Sequence, residues 1–180
     1  MPWQRTGTKG CRHVSDSNYK SNALVAKEKL STVSETMCLA KWNQTSLHLP
    51  TGLTNSCYHP PLHEINADQL KDNPAALHNT QEKLDQRQQM LAGEKPAGCS
   101  YCWNMEKTGE MSDRHYRSGE PWAMQDFDDI RKNPIDERHT PRYVEVNFNN
   151  ACNLKCSYCS PQFSTTWAKE VDRYGAYPTT

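Results

Sequence analysis

Hydrophobic positions are sparse along this chain, and the few that recur with a period predict a short set of elements. Thr45, Leu47 and Leu49 alternate with polar neighbours, as on one face of a strand. Pro50-Thr51-Gly52 supplies a turn, with Gly52 suited to a positive φ, and Leu53 to Ser56 reads as the returning strand of a hairpin. Asn66 reads as an N-cap with Gln69 as its partner in a capping box. Asn73-Pro74 predicts a further helix start, because proline is well placed at the first helical position after an asparagine cap. Leu77, Leu84 and Leu91 recur every seven residues along it, so the spacing predicts one buried stripe, with the Gln, Lys, Arg and Asp side chains in water. Gly93 and Pro96 end that helix. Beyond it, Ser112-Asp113-Arg114 begins one helix and Pro121-Trp122 another, with Phe127 and Ile130 facing inward. Tyr143 to Phe148 is β-branched and aromatic, hence a strand. Ser164 to Tyr174 reads as a helix stopped by Gly175 and Pro178. Residues 1–36 are polar, and the loose periodicity of Ser21 to Leu30 is too weak to build on, so a flexible N-terminal segment is expected.

Composition narrows the function classes. Hydrophobic residues make up 35% of the 180 and mean hydropathy is −0.95, so the core must be small or shared. The 21 basic and 21 acidic residues cancel, leaving no electrostatic case for nucleic acid. No apolar run reaches membrane-spanning length. Ala23-Leu24-Val25-Ala26 is too short for a signal-peptide core and runs at once into Lys27 and Glu28. Eight cysteines would suit a secreted disulfide scaffold, but seven of them fall into metal-like spacings. A reducing cytoplasmic setting is expected, with Cys11 as a spare thiol.

The chemistry concentrates in Cys152-Asn153-Leu154-Lys155-Cys156-Ser157-Tyr158-Cys159, which follows the strand Tyr143 to Phe148. Three thiolates in a CxxxCxxC array can hold three corners of a cubane iron–sulfur cluster and leave the fourth iron open for chemistry. Structural zinc would ask for four ligands, usually in CxxC pairs. This array, with an aromatic before its last cysteine, resembles the signature of the radical S-adenosylmethionine (radical SAM) enzymes. The resemblance implies that Cys152, Cys156 and Cys159 ligate a [4Fe-4S] cluster whose open iron chelates SAM. It implies that Tyr158 lies near the adenine. It further implies reductive cleavage to a 5′-deoxyadenosyl radical that abstracts a substrate hydrogen, with electrons from a flavodoxin- or ferredoxin-type donor.

A second array precedes the first. The predicted hairpin brings Cys38 and Cys57 to one end, and the long helix leads to Cys99-Ser100-Tyr101-Cys102-Trp103. Cys38, Gly52, Cys57 and the CxxC pair resemble the first part of the SPASM cysteine pattern and its shortened form, the twitch domain. That implies one auxiliary iron–sulfur cluster on Cys38, Cys57, Cys99 and Cys102. Later SPASM cysteines are missing, with Thr108 where the next would stand, and the segment precedes the radical SAM signature where it usually follows. An N-terminal placement resembles that of phage-type members. Structural zinc on the same four thiolates is the alternative. His59 and His63 lie close enough in sequence to substitute for a ligand, although His59, before two prolines, reads as a surface or turn residue.

The expected fold class is α+β. A flexible segment (1–36) precedes a twitch-like domain of a β-hairpin and helices (37–110), then a charged helical linker (111–141) and the first βα unit of a radical SAM partial barrel (142–180). No GGE-like strand or ribose-binding carboxylate is present, so the chain is expected to be the N-terminal portion of a longer enzyme, inactive alone. Two functions stand open. One is a radical SAM enzyme acting on a peptide or protein, or else on a carbohydrate or nucleotide-derived substrate. The other is a non-enzymatic, zinc-stabilised binding module.

Overall fold

The hairpin forms where the alternation places it. In the computed structural model, which describes residues 16–176, β1 (Gln44–His48) and β2 (Leu53–Asn55) pair antiparallel with Ser46 opposite Asn55 and His48 opposite Leu53. Gly52 makes the turn at φ 67°, a conformation that costs a glycine nothing. A two-residue β3 (His63–Glu64) lines up antiparallel on β2. The late strand β4 (Tyr143–Asn147) lies parallel to β1, with Thr45 opposite Val144 and Leu47 opposite Val146. The sheet order is therefore β3-β2-β1-β4. The strand expected to open a separate barrel shares its sheet with the cysteine-rich hairpin. A parallel neighbour needs a long crossover, and here the crossover contains most of the helices.

Ahead of the sheet, the helices begin with α1 (Asp16–Ser31), in the segment expected to be flexible. Ala23, Ala26 and Leu30 are buried, and Tyr19 stacks on Tyr116 with ring centroids 5.0 Å apart. Alanines signal little in a hydropathy pattern, yet they let two backbones approach closely. Residues 1–15, with Cys11, lie outside the described residues. After the single turn α2 (Ala40–Asn43) come α3 (Gln69–Asp72), α4 (Gln81–Leu91), α5 (Ser100–Lys107), α6 (Asp113–Ser118), α7 (Pro121–Met124), α8 (Phe127–Lys132) and α9 (Thr165–Tyr174). Trp42 of α2 sits at the core with Leu39, Met90, Trp103, Phe127 and Ile130 around it. Residues 111–141, expected as a linker, thus supply part of the core through α7 and α8.

The helix expected from Asn73 onward is broken. Asn73 accepts the amide of Ala75 (3.1 Å), which starts only a 3₁₀ turn, Pro74–Leu77. Thr80 then caps α4 by accepting the amide of Lys83 (3.4 Å). The restart changes the buried face, and Leu91 is only half-buried while Leu84 and Met90 are buried. Lys83 and Arg87, expected in water, are each 1% exposed. Lys83 Nζ donates to Thr45 Oγ1 (2.7 Å) and Thr54 Oγ1 (2.8 Å) on the hairpin. Arg87 donates to Lys41 O (3.1 Å) and Asn79 Oδ1 (2.8 Å) and lies over Trp42. Among the described residues no helix is long and apolar enough to cross a membrane.

Candidate metal centres

Four segments converge on one small cavity of about 20 Å³, and each brings a cysteine. Cys38 stands just before α2, Cys57 follows β2, Cys99 ends a 3₁₀ turn (Ala97–Cys99), and Cys102 lies in the first turn of α5. All four are free thiols; Cys38, Cys99 and Cys102 are buried and Cys57 is half-buried. Burial pushes the Cys57 thiol up to about 12 and that of Cys102 up to about 11, with the neighbouring Cys38 sulfur adding in both cases. Cys38 is raised by burial and by Cys99. Opposing these shifts, the amide of Lys41 donates to the Cys38 sulfur and that of His59 to Cys57. The amide of Arg114 donates to Cys102, while the hydroxyl of Ser112 gives its proton to Glu106 Oε1 (2.6 Å). Donors aimed at sulfur favour the thiolate form, which is the form that binds a metal.

Around this cavity runs a polar frame that the sequence did not announce. Arg114 forms a bidentate pair with Glu106 (both contacts 2.9 Å) and donates to Met37 O (2.7 Å), one residue before Cys38. At the mouth, His59 Nε2 meets Asp113 Oδ2 (2.8 Å), Tyr58 donates to the same oxygen (3.0 Å), and Arg117 donates to the Tyr58 hydroxyl (3.2 Å). His59 also stacks on Tyr101 at 4.1 Å. It is a half-buried member of the cavity wall, not a free turn residue. His63 is turned elsewhere, toward Thr80 Oγ1 (2.7 Å). His59 and Asp113 lie 54 residues apart, a separation that carries no spacing signal.

The CxxxCxxC loop leaves the C-terminal end of β4 and folds over the start of α9. Carbonyl oxygens of the loop are held by that first turn: Thr166 Oγ1 donates to Cys152 O (2.6 Å), Ser164 Oγ to Leu154 O (3.3 Å), and Trp167 Nε1 to Cys156 O (3.1 Å). Lys155 pairs with Glu170 across the same junction. Ser164 caps α9 as well, accepting the amide of Trp167 (3.4 Å). The backbone is thereby fixed while the sulfurs remain accessible, for Cys152, Cys156 and Cys159 are all half-buried free thiols. Tyr158 is 90% exposed, and its pKa is raised by a hydrogen bond to Cys156.

Among the described residues, no three His, Cys, Asp or Glu side chains are gathered tightly enough to hold a metal ion as they stand. In the loop the Cys152 and Cys159 sulfurs lean on their own carbonyl neighbours, Leu154 O at 4.0 Å and Ser160 O at 3.7 Å. In general, a metal ion that displaces thiol protons also draws the sulfurs together, so ligand geometry and metal binding are coupled. What fits a metal at the four-thiol cavity is the donor set itself, four free sulfurs with amide donors on three of them. No family model, curated protein or solved structure matches the chain.

Proposed function

We propose that this chain carries the cluster-binding part of a radical SAM enzyme, with a second metal centre in its cysteine-rich half. The observation that carries the reading is the CxxxCxxC loop at the C-terminal end of a parallel strand, its carbonyls tied to the following helix and its three thiols left accessible. That end of a βα unit is where reactive groups collect in parallel folds. Cys152, Cys156 and Cys159 would hold a [4Fe-4S] cluster, which when bound supplies the electron that cleaves the SAM sulfonium to a 5′-deoxyadenosyl radical. The chain's own task is positional. Thr166, Ser164 and Trp167 hold the loop backbone in register, and Tyr158 stands beside the middle cysteine with its ring open to an adenine.

Cys38, Cys57, Cys99 and Cys102 would hold the second metal. A cavity of about 20 Å³ is the size of one water-sized body, which suits a single ion once the four thiolates have drawn in around it. A cubane would require the four side chains to swing outward. That is the observation behind a second reading, a non-enzymatic module stabilised by structural zinc.

Anaerobic purification and reconstitution, followed by iron, sulfide and zinc counts per chain, separates these readings. About eight irons with matching sulfide means two cubanes, and about four irons with one zinc means one cubane and a structural site. Zinc without iron ends the enzyme reading. With reductant and SAM, a radical SAM enzyme that carries this chain is expected to release 5′-deoxyadenosine. A Cys152→Ala, Cys156→Ala, Cys159→Ala variant is expected to release none while keeping its second metal. Undiminished release from the triple variant would overturn the assignment.

A further inference from the structure

A wide cleft of about 710 Å³ opens at the C-terminal ends of the parallel pair β1 and β4, and its lining stops just short of the cysteine loop on both sides, at Asn149 and at Gln162. Tyr58, at the mouth of the four-thiol cavity, lines this cleft as well. Its floor holds one carboxylate, Glu145 of β4, which accepts from Ser46 Oγ at 3.1 Å and is otherwise exposed. Neither lysine nor arginine lines it, and His48 is its one other ionisable lining group besides the Tyr58 phenol. Nearby Arg117 is engaged with the Tyr58 hydroxyl, which in turn donates to Asp113.

Two further features point to what the cleft would take. Asn55 in its wall is 6% exposed and its Oδ1 is buried without a hydrogen-bond partner, while Nδ2 is held by Pro60 O at 3.4 Å. A buried acceptor left unpaired costs on the order of 1–3 kcal/mol, so a donor that reaches it binds with advantage. The rim is aromatic: Tyr58, Phe148 and Phe163 are 53%, 73% and 44% exposed. Carboxylate, unpaired carbonyl and aromatic faces share one preference, a cation bearing N–H donors on an apolar stem.

We infer that this cleft binds a primary ammonium group on an alkyl chain, and specifically a lysine side chain presented by a peptide. The ammonium pairs with Glu145 and donates to Asn55 Oδ1, and its methylenes lie against Phe148 and Phe163. As a binding site the inference stands on the cleft alone. As the substrate class of the proposed enzyme it rests on that reading.

The test is titration of the full chain, without added metal, with Nα-acetyl-lysine-N-methylamide, followed by amide chemical shifts. Saturable binding is expected, with shifts confined to residues around Asn55, Glu145 to Asn149 and Phe163. The Nε-acetylated derivative and the norleucine counterpart are expected to bind at least about tenfold more weakly, and Glu145→Gln to cost about tenfold, as loss of a charge-assisted hydrogen bond does. Because Glu145 is exposed, that variant keeps the fold. Equal binding of norleucine, an unchanged affinity in Glu145→Gln, or no saturation at millimolar probe overturns the inference. If n-butylammonium binds as tightly as the lysine derivative, the peptide assignment fails. Iron and sulfide counts on the same preparation, after reconstitution, report on the cluster reading independently, so failure of one is distinguishable from failure of the other.

Discussion

Lys83 is the residue at which burial and charge conflict most sharply. It is 1% exposed, its two partners are hydroxyls, and burial is the chief cause that pulls its pKa down to about 7, with Arg87 and Lys41 adding to it. In the unfolded chain an ordinary lysine keeps its proton to about pH 10.4. Between those values the unfolded state binds the extra proton, so this group makes stability rise with pH, by at most about 1.4 kcal/mol per unit. Below about 7 both states are protonated and its slope vanishes. The buried thiols of Cys57 and Cys102 act oppositely once unfolded cysteine begins to ionise near pH 8.5. Denaturant unfolding of the metal-free chain between about pH 7 and 8.5 should therefore show stability rising, and Lys83→Met should flatten that rise. An identical slope in the variant would mean that the amine stays charged in the fold.

At the level of elements, α1 shows how much a small-residue contact can carry. A Cβ added at Gly119 would fall 2.8 Å from the backbone carbon and oxygen of Asn22, so helix α1 lies against the turn that ends α6 with no room for a methyl group. Gly119 has φ −76°, so the constraint is space rather than backbone conformation. Gly119→Ala should lower stability by about 1–3 kcal/mol, the usual range for overpacking, because the neighbour is backbone and cannot rotate away. A shift in denaturant midpoint below that range would mean that α1 can slide. The split of the Asn73 to Leu91 stretch teaches a related point. Two capping residues, Asn73 and Thr80, lie seven apart; the local hydrogen bonds of Thr80 restart the helix and override the leucine repeat that spans the break.

For the molecule as a whole, the decisive junction is where β4 joins the hairpin. Asn43, fully buried, donates to Ala123 O (2.9 Å), meets His139 Nε2 through its Oδ1 (2.6 Å), and accepts the amide of Arg142 on its backbone oxygen (2.8 Å). It links α2, α7 and the entry to β4, so the two cysteine centres ride on one sheet. Asn43→Ala would strand the buried Ala123 carbonyl and the half-buried His139 ring and should cost about 2–4 kcal/mol in global unfolding, with the loop-bearing end of the chain most affected in hydrogen exchange. A loss below about 1 kcal/mol would indicate that water replaces the side chain. Much of this architecture was legible in advance where the controlling interaction is short-range. The hairpin and its Gly52 turn, the start of α9 near Ser164, and the set of three cysteines in one loop follow from neighbours within a few residues, whose spacing the chain states outright; the set of four runs from Cys38 to Cys102 and is offered only by resemblance. What only the tertiary structure decided are the long-range choices: β4 against β1, Lys83 and Arg87 turned inward, α1 docked through alanines, His59 beside Asp113, and Asn55 and Glu145 lining one cleft. Periodicity says which side of an element is buried but not which partner buries it. That partner is chosen by close packing and by the need to pair every buried polar group once the chain has collapsed.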